Sequence, residues 1–408
     1  MTSEFAGLPA DWAVRTLGSL GRVVRGGSPR PAGDPRYFKG SFVPWLTVAS
    51  LTTIPPSQVW VTETGGFLTE EGARRSRTLE PNTLVISNSG ATLGVAKILK
   101  IRCCANDGIG ALIDQHSGNK EFICQYLNTQ TGYLRDVVAP GNGQPNLNTS
   151  LIEDIAVPFP SEPEQAAIAA VLRDADDLIS SLTAAIVKRR AIKLGMMQEL
   201  LTGRTRIGSV AGAWPTVRLL DLVTIASGQV DPRRPEFRDL PLIAPDHIES
   251  GTGRLLAVKT AAEQGAISGK YLAEPGDVIY SKIRPYLRKA HVARFRTLCS
   301  ADMYPLRPKS GVDPEFVLNA LLGARFTDFA ASASMRSGIP KINRVELAAF
   351  ELTVPPCEEQ QKIAEVLLDA DAEIAALERR LESARAIKTG MMQELLTGRT
   401  RLPVEAVS

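Results

Sequence analysis

Asp174, Asp176 and Asp177 lie within one helical turn, and a second acidic pair, Asp369 and Asp371, stands 195 positions further on. Such clusters could hold a divalent cation or share acid–base work. Their helical phase places them on the polar side of their segments, which favours a solvated face or a partner contact. Lys282, Arg284, Arg288 and Lys289 fall within eight residues around Tyr286. A cationic run with an aromatic suits phosphates and base edges, although charge runs are often only surface. Asn88, Ser89 and Thr92 belong to the polar stretch NSGATLG, whose glycines let backbone amides approach a ligand closely. It lacks the Lys-Ser/Thr of a P-loop. His116, His247 and His291 have no Ser/Asp or Cys/His companions. Cys103, Cys104, Cys124, Cys299 and Cys357 form no CxxC pair, so buried thiols and no metal site are expected. GxGxxG after a strand, HExxH, GxSxG and the Asn/Asp-Pro-Pro-aromatic tetrad of amino-methyl transfer are missing from the sequence. The pattern favours a chain that reads over one that catalyses.

The elements that must position these residues are set by a duplication. GMMQELLTGRTR occurs as Gly195–Arg206 and again as Gly390–Arg401. A shift of 195 aligns 143–206 with 338–401 without a gap, and about half of the paired residues are identical. A period that long holds a whole globular domain plus the shared segment, which makes the chain a pseudo-dimer. The 408 residues then divide as module 1–158, shared segment 159–206, module 207–354 and shared segment with tail 355–408. With 44% apolar and 22% charged residues the composition is that of a folded globular protein. The start, MTSEFAGLPADW, has no basic region followed by an apolar run, and no eighteen residues in a row are apolar, so a cytoplasmic protein without a membrane partner is expected. The net charge is +3, of which 207–354 carries +4 and 355–408 carries −3. That asymmetry allows nucleic acid on one region and a protein partner on another.

Both modules read as mixed α/β. Short β-type runs, Ser41–Val48, Val59–Thr62 and Thr83–Ser87, alternate with Gly and Pro punctuation, and no long helical period precedes residue 140. Trp12, Leu17, Leu20 and Gly26 return at a shift of 202 as Trp214, Leu219, Leu222 and Gly228. Pro81–Ser87 corresponds to Pro275–Ser281, a turn and a strand. The first strand runs into NSGATLG and the second into the Lys282–Lys289 run, so one framework carries two different tips.

The shared segments are helical. Ser161 with Glu164 forms a capping-box pattern, and Pro163 suits a first turn. Apolar residues then fall at Ile168, Leu172, Ala175, Ile179, Leu182 and Ile186, matched by Ile363, Leu367, Ala370, Ile374, Leu377 and Leu381. Spacings alternating between four and three define a coiled-coil seam. The seams are expected to resume at Ile192, Met196 and Leu200 and at Ile387, Met391 and Leu395, and to stop at Gly203 and Gly398. Two equal stripes in one chain most simply bury each other, and antiparallel packing gives a two-fold pseudo-axis with the modules at opposite ends. A helix of this length spans roughly 60 Å.

These residues resemble the specificity subunit of type I restriction-modification systems. The resemblance rests on the duplicated PxxxEQxxI start (Pro160–Ile168 and Pro355–Ile363), the long helix and its MMQELLTGRTR ending. Gly40–Trp45, Leu93–Ala96, Gly143–Asn148, Gly276–Ser281 and Arg284-Pro285 are similar to that family's target-recognition domains, while Pro340-Lys341-Ile342-Asn343 departs from Pro145-Asn146-Leu147-Asn148. The resemblance implies an α+β (mixed α/β) fold with two target-recognition domains separated by an antiparallel coiled coil. It implies a non-catalytic subunit that recognises bipartite double-stranded DNA, one half-site per domain. Its partners would be two methylation subunits together with restriction subunits. S-adenosylmethionine, ATP and Mg²⁺ would belong to those partners, with no cofactor in this chain. The rival readings are a protein–protein coiled-coil adaptor without nucleic acid, and an enzyme with an unrecognised site. By position Asn88, Ser89, Thr92, Lys282, Arg284, Arg288 and Lys289 are the candidates for base edges. Arg74, Arg75, Arg77, Arg233, Arg234 and Arg238 are the candidates for phosphates.

Overall fold

The computed structural model describes residues 5, 7–90, 92–139, 146–207, 212–334 and 339–403. Ala91, Gly143, Gln144, Pro145 and Gly338 of the motifs above lie outside them. The chain forms two compact units, residues 1–185 with 377–408, and residues 186–376. The two long helices, Glu162–Leu200 and Cys357–Leu395, each supply one half to each unit. No helix among the described residues is long and apolar enough to cross a membrane.

In the first unit a five-stranded sheet runs Arg22–Arg25, Ile109–Ile113, Leu84–Ser87, Ala96–Leu99, Trp60–Val61. A four-stranded sheet runs Phe67–Leu68, Phe38–Leu46, Cys103–Ala105, Arg77–Leu79. In the second unit one four-stranded sheet runs Val223–Ile225, Met303–Pro308, Val278–Ser281, Ala290–Val292, and another runs Gln229–Val230, Lys270–Ala273, Thr297–Cys299, Leu242–Ile243. The central hairpins correspond, Leu84 pairing with Ile98 and Val278 with Val292. Their strands are buried throughout, so these β-branched and leucine-rich runs carry no polar alternation.

Two features depart from the sequence reading. The strand expected through Val48 ends at Leu46, because Thr47 caps a short helix, Val48–Thr53, by accepting a bond from the Ser50 amide. A helix that the mixed α/β reading left unplaced stands at Lys120–Thr129, its first turn capped by the Asn119 side chain.

Antiparallel packing of the long helices is visible inside each unit. In the first, Asp176 pairs with Lys388 while Glu164 pairs with Arg401, so rising numbers on one helix meet falling numbers on the other. In the second, Lys193 pairs with Asp371 and Arg206 with Glu359. The seam residues Ile168, Leu172, Ile179, Leu182, Ile186, Ile363, Leu367, Ile374 and Leu381 are buried, and Leu377 is half-buried. Ile192 and Ile387, expected to resume the seam, are instead 42% and 61% exposed. Lys193 and Lys388 take the interior places, since each stands seven residues past Ile186 or Leu381 and keeps the 3.5 period. Asp176, expected on the polar side, is likewise buried, one residue past the expected Ala175. Asp174, Asp177 and Asp369 do face solvent.

The helix starts hold the modules. Glu164 does not turn back as a capping box; its carboxylate accepts bonds from Trp12 Nε1 at 3.2 Å and from Arg401. Glu359 repeats this with Trp214 Nε1 at 3.2 Å and Arg206. Gln165 Oε1 accepts from the Asn119 amide and Gln360 Oε1 from the Asp313 amide, tying each helix to the cap of the neighbouring helix. Gly203 and Gly398 end the repeats with φ of +71° and +69°. Four of the cysteines are buried, and Cys357 is half-buried because it sits in the first turn of its helix. Burial pushes the thiols of Cys103, Cys124 and Cys299 up to about 12, which keeps them protonated and inert.

Candidate nucleic-acid interface

Each central hairpin opens into the loop that the sequence singled out, and the two loops share one backbone frame. In the first unit the Asn88 amide donates to the Gly108 carbonyl at 2.9 Å, the Leu147 amide donates back to the Asn88 carbonyl at 2.8 Å, and Ser89 bridges Asn146. In the second the Lys282 amide donates to the Asp302 carbonyl at 3.0 Å, the Ile342 amide donates to the Lys282 carbonyl at 2.9 Å, and Ile283 bridges Lys341. The Pro340–Asn343 stretch therefore occupies the place of its divergent counterpart. Asn148 and Asn343 both cap short helices, so the shared residue serves structure.

The side chains on this frame differ. Asn88 is only 2% exposed, and its Nδ2 donates to the Asp107 carbonyl at 3.2 Å. It holds the loop from within. Ser89 is half-buried and Thr92 exposed. The Ser28 hydroxyl, with Arg30 and Arg25 further off, holds the Asp107 carboxyl below its usual range at the root of this loop. In the second unit Lys282 Nζ donates to the Ala301 carbonyl at 2.6 Å and lies 5.2 Å from the centre of the Tyr304 ring. Lys289 Nζ donates to the Pro245 carbonyl at 2.7 Å. Arg284 is exposed and Arg288 half-buried.

The remaining arginines sit on exposed surface, all but Arg77 beside acids. Arg74 pairs with Glu70 at 2.6 Å, and Arg75 pairs with Glu71 at 3.7 Å while covering Tyr37. Arg77 donates to the Arg25 carbonyl at 2.7 Å. Arg233 grips Asp231 and holds its carboxyl at about 2, and Arg234 and Arg238 lie 3.9 and 3.6 Å from Glu236 and Asp239. Exposed pairs of this kind are worth little, so a phosphate could replace the carboxylate cheaply. Lys341, and Arg344 over Tyr304 at 5.7 Å, also belong to the second loop's surroundings. Sequence reasoning passed over them; the only signal was the departure at 340–343.

A profile described as "Type I restriction modification DNA specificity domain" matches residues 9–188 and again 212–384. The chain belongs to this type I DNA-specificity family. Among its relatives, the EcoDI specificity subunit of Escherichia coli is 30% identical over 309 residues, covering 68% of each chain. The MjaVIII specificity subunit of Methanocaldococcus jannaschii is 22% identical over 423 residues, covering 97% of this chain and 94% of that one. The fold of the type I S subunit from M. genitalium matches with a TM-score of 0.61 at 14% identity over 97% of both chains. A chain from a structure on complex assembly and conformational transition of the type I R-M system matches with a TM-score of 0.59 at 15% identity. Within the specificity family, the doubled profile match coincides with the doubled hairpin-and-helix plan described above.

Proposed function

We propose that this specificity-family chain is a non-catalytic DNA reader. Each module recognises one half of a bipartite double-stranded target, and the paired helices present two methylation subunits and, through them, restriction subunits. S-adenosylmethionine, ATP and Mg²⁺ act in those partners. The observation that carries the reading is the common loop frame with different tips: a fixed scaffold repeated twice, changed only where side chains leave it. Two copies of one frame with unlike tips suit two unlike half-sites.

Base reading needs donors and acceptors on the major-groove edges, where an arginine or lysine bridges guanine O6 and N7. Ser89 and Thr92 in the first unit, and the cationic loop in the second, would make such contacts. Arg74, Arg75, Arg233 and Arg234 would exchange their carboxylate neighbours for phosphates, and with Arg77 would set register. The weak charge of the first module implies that the chain alone binds duplex poorly and gains affinity when its methylation partners close around it. Methylome sequencing of cells with and without this chain, partners present, tests the proposal. A two-part adenine methylation motif that disappears with the chain supports it. A methylome indifferent to the chain rejects it, while tight, selective binding by the isolated subunit in a gel shift would reject only the reliance on methylation partners.

A further inference from the structure

We propose that Arg284 is the residue through which the second unit demands a G·C pair at one position of its half-site. The assignment rests on the DNA-reading function above. Its starting point is a backbone comparison. In the first unit's loop the chain turns through the left-handed region at Gly90 (φ +83°) and Gly94 (φ +92°). The corresponding positions of the second loop are Arg284 (φ +46°) and Arg288 (φ +51°). Glycine meets that backbone without penalty, whereas a Cβ is disfavoured there, and non-glycine residues held in this region gather at functional sites.

The four cations of this loop then separate. Lys282 and Lys289 have their ammonium groups engaged by the Ala301 and Pro245 carbonyls. Arg288 lies back against Gly251, where an added Cβ would meet its guanidinium carbon at 3.6 Å, and its Nε is buried. Arg284 alone of the four is exposed, and among the described residues its guanidinium, like the buried Nε of Arg288, has no hydrogen-bond partner. Its mount is nevertheless rigid: the Arg284 amide donates to the Pro340 carbonyl at 2.7 Å, Ile283 bridges Lys341, and Pro285 fixes the next φ. A free planar fork on a pinned backbone is preorganised for a bidentate acceptor pair, and guanine O6 with N7 is that pair in the major groove. Lys341 and Arg344, at the rim of the same loop, supply positive charge for the flanking phosphates.

The test uses the whole chain with its methylation partners and compares Arg284→Gly, Arg284→Ala and Arg284→Lys by methylome sequencing and by melting. Glycine and alanine should both make one G·C position of the second half-site degenerate, with preference falling roughly 10- to 100-fold, while the first half-site is unchanged. Lysine, which can still donate to guanine but lacks the planar fork, should keep part of the preference. The glycine variant should melt about 2–4 °C above the alanine variant, because it alone relieves the backbone. An unchanged second half-site in the alanine and glycine variants would overturn the proposal. So would uniform weakening at every site with the motif intact, which marks a phosphate contact. A glycine variant no more stable than alanine would overturn the claim of backbone strain. If the unaltered complex methylates no two-part motif, the functional reading fails instead.

Discussion

Lys388 places its Nζ 2.6 Å from Asp176 Oδ1, and its counterpart in the repeat, Lys193, lies 2.5 Å from Asp371 Oδ1. These are one interaction met twice with its polarity exchanged: the first helix gives the acid in one unit and the base in the other. Burial pushes the Asp176 carboxyl up even though Lys388 and Gln125 oppose the shift. The desolvation cost thus outweighs the pairing, and the pair fixes register more than it stabilises.

Removing one member should therefore be worse than removing both. Asp176→Ala leaves the ammonium of Lys388 buried and uncompensated and should cost about 3–5 kcal/mol in denaturant unfolding. Asp176→Leu with Lys388→Met should lie near wild type. Equal losses in the single and double variants would contradict this account.

The shifted seam makes a sharper comparison. Leu172 and Leu367 are fully buried, so Leu172→Ala and Leu367→Ala should each cost about 2–5 kcal/mol. Ile387→Ala should fall within about 0.5 kcal/mol of wild type, as an exposed position does. Comparable losses at Ile387 would place the seam back in its sequence-derived phase.

That seam shows what a sequence read in isolation could and could not supply. Ile168, Leu172 and Ile179 were legible because burial demands apolar residues at a fixed period. Lys193 and Asp176 were not, because what makes them tolerable inside is a partner about 180 to 210 residues away, and no local pattern records it. Ile192 misled for the complementary reason: one exposed isoleucine is cheap, so hydrophobicity alone does not set phase. The loop tips at 88–94 and 282–289 were found from composition. Which of their cations are engaged by carbonyls, and which is exposed, depended on strands brought together by the fold.

Acid should attack the start of the second long helix. The Arg206 guanidinium, aided by Trp214, holds the Glu359 carboxyl below its ordinary value of 4.5. A depressed folded value contributes stability that is present above pH 4.5 and lost as pH falls through it. Glu359→Gln should lower stability at neutral pH and flatten that part of the acid limb, measured by unfolding between roughly pH 2 and 6. An acid limb of unchanged slope would refute the role given to this carboxylate.

If the helices set the gap between half-sites, matched one-heptad insertions into both should lengthen the tolerated gap, read from the methylome motif. An insertion into one helix alone should break the pairing of Asp176 with Lys388 and abolish assembly. A motif with its original gap after the matched insertion would reject the ruler.

The first unit is closed by residues from the far end of the chain: Leu395 and Leu396 join Ile168 and Leu172 in its core, and Arg401 reaches Asp11, Glu164 and the Trp12 ring. The second unit is one unbroken stretch. On the ribosome the order of completion is consequently inverted. The middle of the polypeptide can finish folding while residues 1–185 still wait, with an apolar flank uncovered, for Leu395, Leu396 and Arg401 to emerge.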